Sequence, residues 1–84
     1  MRQIDTKYHT DGNIFKADGT PLPLDEPLMV FRGQDSLLPT LLDYYLQLCK
    51  EAGSPPNHLA QMEQYVEGLR NWQASHVDRV GTPD

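Results

Sequence analysis

Residues 35–76 read DSLLPTLLDYYLQLCKEAGSPPNHLAQMEQYVEGLRNWQASH, and their apolar spacing decides the fold. Leu38, Leu42, Tyr45 and Cys49 recur at intervals of three and four, as do Leu37, Leu41, Tyr45 and Leu48, and Leu46 widens the stripe. That period belongs to a helix with one face turned to a core. Asp35 and Ser36 each offer a capping oxygen, and Pro39 suits a first turn where no intrahelical donor is needed. Gly53 is a natural C′ residue and Pro55 bars continuation, so the spacing predicts helix 1 over 35–53. Leu59, Met62, Val66 and Leu69 repeat the pattern, with Tyr65 and Trp72 beside them and His76 at the far end. Helix 2 is expected over 54–76, capped by Ser54 with Pro55 at its first position and about 30 Å long. A connection this short forces the two helices antiparallel.

Residues 1–34 carry the opposite signature, turns separated by short extended runs. The first dozen residues are polar and end in a turn signal at Asp11-Gly12. Asp18-Gly19 is the sharpest hairpin signal, because both residues tolerate φ > 0. Asn13–Lys16 and Thr20–Leu24 flank it, the second arm carrying Pro21 and Pro23 at the same parity, which suits an edge strand or a polyproline-like stretch. A further turn is expected at Asp25-Glu26-Pro27. The apolar run Leu28–Arg32 is the best strand candidate. The expected fold is therefore α+β: a short antiparallel N-terminal hairpin or three-stranded sheet packed on a C-terminal antiparallel helix pair. The alternative is a helical hairpin with an irregular N-terminal arm. Residues 77–84 read as a polar tail from which Val80 can dock.

At 84 residues the chain suits one small domain spanning 1–84. A domain of this size buries only about 60% of its unfolded surface, so its stability is a thin margin and a second copy has apolar surface to cover. No apolar run reaches the roughly 20 residues of a spanning helix, no secretory leader is legible, and Cys49 has no cysteine to pair with. A cytoplasmic protein with no membrane association is expected. Twelve acidic residues against seven basic leave a net charge of −5. Three of the basic residues fall in the first 16 positions, and between Asp35 and Glu67 five acids face Lys50 alone. Such a surface disfavours direct nucleic-acid binding and permits a basic protein partner.

Chemistry-bearing patterns are sparse. The histidines at 9, 58 and 76 are far apart and none is paired at i,i+4, so no metal, cofactor or catalytic group is expected. Gathering His9 and His58 with an acid by folding is disfavoured. Cys49 lies on the apolar face of helix 1 near its C-terminus and reads as a core thiol. Gly68, inside helix 2, costs about 1 kcal/mol of propensity against alanine, which points to close approach by another backbone. The segment Phe31–Ser36 joins the best strand to the first helix. Arg32, Gln34 and Asp35 there bring a cation, an amide and a carboxylate beside free helix N–H groups, suited to a ligand anion. The structural reading is that Asp35 caps the helix and Arg32 pairs with Asp35 or another acid. Tyr44, Trp72 and His76 complete the candidate interaction residues, Tyr44 because it falls off the main stripe.

These patterns point to a non-catalytic, acidic protein–protein interaction module, expected as a homodimer. A first alternative is a nucleic-acid-mimicking inhibitor of a DNA- or RNA-binding protein, displaying carboxylates 35, 43, 51, 63 and 67. A second is a small-molecule or anion site at Arg32, Gln34 and Asp35.

Overall fold

Two α-helices and one 3₁₀ turn make up the regular structure of the computed structural model, which describes Tyr8, Thr10 and residues 12–82. Helix α1 spans Leu38–Glu51, α2 spans Pro56–Ser75, and the 3₁₀ turn spans Val77–Arg79. The described residues fall into two compact units divided between Val30 and Phe31. Among them there is no β-strand. The expected α+β sheet is thus corrected to the helical hairpin with an irregular N-terminal arm.

Unit 1 holds a short turn and a single described bridge in place of a sheet. Gly19 N–H donates to the Lys16 carbonyl at 2.9 Å and Lys16 N–H to the Thr20 carbonyl at 2.8 Å, so residues 17–19 form a three-residue loop. Only Gly19, at φ 90°, takes the left-handed conformation, and Asp18 instead accepts the Thr20 N–H on Oδ1 at 2.9 Å. This is a tight turn closed by a glycine, rather than the two-residue turn in which both residues have φ > 0. Past it, Leu22 N–H reaches the Ile14 carbonyl at 2.8 Å and one antiparallel bridge pairs Phe15 with Pro21. Lys16 and Leu22 point their donors at the partner arm, so positions 21 and 23 face the outer edge. Both are proline and neither can donate there, so that edge of the second arm offers no N–H to a further strand. Residues 14–16 and 28–30 exchange no backbone hydrogen bond. The turn expected at 25–27 closes earlier, with Glu26 N–H on the Pro23 carbonyl at 3.3 Å. The readings that rest on residues 1–7, His9, Asp11, Pro83 and Asp84 lie outside the described residues.

Unit 2 is the helical hairpin. Ala52 caps α1, Gly53 follows at φ 82°, and the Gly53 and Ser54 N–H groups close on the Lys50 and Cys49 carbonyls at 3.1 and 3.0 Å. This is a Schellman ending, in which glycine takes the conformation that would strain any other residue. Helix α2 begins on Pro55, with Pro56 at its first position. Ser54 makes no side-chain cap, and helix 2 starts two residues later than expected. Helix α1 also starts late, on Leu38, because Asp35 and Ser36 are held in the preceding loop.

The helices pack antiparallel, with Asp43 facing Arg70 and Lys50 facing Glu63 across them. Leu38, Leu46 and Val66 are buried, and Leu42, Cys49, Leu59, Met62 and Leu69 are half-buried around them. A single partner helix covers only one stripe of α1, the 38–42–46–49 line. Leu46 rather than Tyr45 therefore turns inward, and Tyr45 stays 52% exposed with the neighbouring stripe.

Candidate functional site

The loop entering α1 is fixed by backbone bonds from three directions. Asp35 N–H closes a turn on the Arg32 carbonyl at 3.0 Å, and the Asp35 carboxylate accepts the Leu37 N–H at 2.8 Å. Gln73 of α2 donates its side-chain amide to the Gly33 carbonyl at 2.9 Å and to the Asp35 carbonyl at 2.8 Å. Gly81 pairs beside Asp35 in parallel, giving its N–H to the Gln34 carbonyl at 3.0 Å and taking the Ser36 N–H at 2.9 Å. Asp35 is buried at 9% exposure as a result. Gly33 seats the loop on α2: a Cβ there would lie 3.6 Å from Leu69 and 4.0 Å from Trp72. Backbone groups buried this way must be paired, and here the loop's own sequence, Gln73 and Gly81 share that task.

Trp72 organises the other wall. The His76 ring stacks on it with centroids 4.4 Å apart and planes 17° apart. His76 Nδ1 lies 2.7 Å from the Trp72 carbonyl, which only accepts, so Nδ1 carries the proton. The 3₁₀ turn then returns Arg79, whose N–H donates to the His76 carbonyl at 2.8 Å and whose guanidinium lies 5.0 Å over the Trp72 ring. A cation over an indole face gains about 0.5–1 kcal/mol at such a partly exposed place, a bias of a few-fold toward this position.

Between these walls lies an open groove of about 580 Å³. Arg32 and Gln34 reach it from the loop, Arg79 from the 3₁₀ turn, and Gln64, Tyr65, Gly68 and Trp72 from α2. Among the described residues no carboxylate lines it. Among the described residues Arg32 makes no ion pair, so the expected Arg32–Asp35 pair does not form, and Asp35 keeps its structural role. The expected close approach at Gly68 is also absent among the described residues, since a Cβ there would meet nothing within 4 Å. The glycine instead leaves bare helix backbone in the groove.

Of the residues singled out by sequence, Arg32, Gln34 and Trp72 come together here. Asp35 lies in the loop's support, and His76 braces Trp72 without lining the groove. Tyr44 stands apart on α1 at 65% exposure. Arg79, Gln64 and Gln73 were not anticipated. Arg79 sits in what reads as a tail, and Gln73 has no periodic signal to mark it.

The acids on the helices are largely engaged. Arg70 makes a two-pronged bond to Asp43 and draws that carboxyl below its ordinary value, while its own pKa rises. It does not join Glu67, the neighbour its sequence spacing suggests. Lys50 Nζ lies 3.4 Å from Glu63, and Gln47 donates to Glu51 at 3.3 Å. Among the described residues no group of three His, Cys, Asp or Glu side chains is placed to hold a metal ion, and no helix is long and apolar enough to cross a membrane. The chain matches no protein-family model, no curated protein and no solved structure.

Proposed function

We propose that the chain is a non-catalytic protein-interaction module that pairs with a second copy of itself. The observation that supports this is the outward stripe of α1, where Leu37, Leu41, Tyr45 and Leu48 are 59, 45, 52 and 43% exposed and Tyr44 adds 65% beside them. Among the described residues the buried apolar side chains are Leu38, Pro39, Leu46 and Val66, so one helix displays more large apolar side chains than the fold encloses. The stripe residues carry no charge, and two copies meeting there about a dyad bring no like charges to the centre of the contact. The groove's polar lining supports the non-catalytic reading, since guanidinium and amide groups hold ligands without exchanging protons near neutral pH.

The inhibitor alternative has less support. Of its five carboxylates, Asp35 is buried on a backbone N–H and Asp43 and Glu63 are paired with cations. Sedimentation equilibrium tests the pairing. A dimer is expected at about 50 µM, a concentration that populates a micromolar complex. The joint change Leu41→Glu and Leu48→Glu is expected to return it to monomer with its helicity kept. A wild-type monomer at that concentration overturns the proposal.

A further inference from the structure

We propose that the groove between the Arg32–Gln34 loop and α2 receives an extended acidic peptide segment of a partner protein. The site shares no residue with the α1 stripe and does not depend on the pairing proposed above.

Charge is the first argument. A chain of net charge −5 places two arginines, Arg32 and Arg79, around a groove that no carboxylate among the described residues lines. Elsewhere on the helices its cations are spent, Arg70 on Asp43 and Lys50 on Glu63. Arg32 has no acidic partner among the described residues, and Arg79 is held over Trp72. Two guanidinium forks offered this way match carboxylates, which they bind through paired N–H donors.

Shape is the second. Gly68 gives up helix propensity and a Cβ there would meet nothing within 4 Å among the described residues, leaving backbone that an incoming main chain can approach closely. Gln34 and Gln64 line the same groove, and a side-chain amide both donates to and accepts from a peptide unit. From Gln64 to Trp72 the α2 wall runs about 12 Å, the span of about four extended residues. The exposed Tyr65 supplies an aromatic surface for one of their side chains.

The same net charge separates this occupant from a nucleic acid. Two cations neutralise a short run of carboxylates, whereas a duplex brings one phosphate charge per about 1.7 Å toward an acidic protein. The supports also suit selective binding. Gln73, Gly81 and the Asp35 turn fix the backbone that carries Arg32, and Arg79 is biased toward the indole ring, so less order is lost on association than from a free loop.

The full chain, probed on an array of random peptides of about eight residues, tests this, since that length covers the span with residues to spare. Retained peptides are expected to be enriched in Asp and Glu, and binding of one synthesised hit, read by fluorescence anisotropy, is expected to weaken as salt rises. Arg32→Gln and Arg79→Gln are each expected to weaken it about tenfold, the scale of one charge-assisted contact. Gly68→Leu suits a helix and fills the groove, so it is expected to abolish binding while the melting temperature is kept. The stripe variant Leu41→Glu with Leu48→Glu is expected to bind the hit normally. No acidic enrichment, unchanged binding in the arginine or Gly68 variants, or tighter binding of a single-stranded oligonucleotide than of any peptide would overturn the proposal.

Discussion

The side-chain amide of Gln73 donates to the main-chain carbonyl of Asp35 at 2.8 Å, across 38 positions of sequence. A second bond from the same nitrogen reaches Gly33 at 2.9 Å, so one residue of α2 satisfies two carbonyls of the loop that starts α1. Removing the amide leaves both carbonyls to be satisfied by water. Gln73→Ala is expected to cost about 1–3 kcal/mol, measured by urea denaturation, because two bonds go and one lies in partly buried surroundings. Amide exchange at Asp35 and Ser36 should accelerate in the same variant.

Asp35 separates charge from hydrogen bonding. Its carboxylate accepts the Leu37 N–H and has no cationic partner among the described side chains. Asp35→Asn keeps an accepting oxygen and should retain most of the stability. Asp35→Ala loses it and is expected to cost about 0.5–2 kcal/mol, the range of a lost helix-start acceptor. Equal losses in the two variants would show that the negative charge itself matters.

Acid should loosen the hairpin through Asp43. Hydrogen bonding by Arg70 lowers its pKa from 3.8, so the folded state favours the ionised carboxylate. That contribution is complete above the unfolded value and disappears as pH falls through the lower folded value. Thermal melts followed downward from pH 5 should show a steeper decline for the wild type than for Asp43→Asn. The difference between the two proteins at pH 7 should shrink at high salt, because the pair is exposed. Asp18, lowered by its bond to the Thr20 N–H, adds a decline in the same acid range that both proteins share.

Two glycines should respond in opposite directions to the same substitution. At Gly53 φ is 82°, so Gly53→Ala forces a left-handed alanine and is expected to destabilise by about 1 kcal/mol. At Gly68 the backbone is helical and a methyl group meets nothing, so Gly68→Ala should stabilise by up to about 1 kcal/mol. Calorimetry on the two variants checks both signs.

The helical hairpin was legible because its information is local. The recurrence of Leu59, Met62, Val66 and Leu69 and the Gly53 ending each act within a turn or two of themselves, and both are found. Leu28–Arg32 misled because an apolar run carries no record of whether a neighbouring edge can accept it. Pro21 and Pro23 close one such edge; their parity is visible in the sequence, but their outward direction depends on which arm Lys16 and Leu22 address. The groove was half legible for the same reason. Arg32 and Gln34 stand together in the sequence, and Trp72 is marked by its size. Arg79 lies 47 positions beyond Arg32 and becomes relevant only once the 3₁₀ turn carries it back over Trp72. Polar bonds to main-chain atoms, such as those of Gln73, leave no hydrophobic period to read.

Gly81 lying beside Asp35 means that the chain enters and leaves the helical unit at one place. A short bridge of glycine and serine could therefore join position 82 to position 33, and new termini could be opened in the turn at Gly53-Ser54. Such a circular permutant would keep both helices, and the unit is shaped to be spliced into a surface loop of a host protein without spreading the loop's ends.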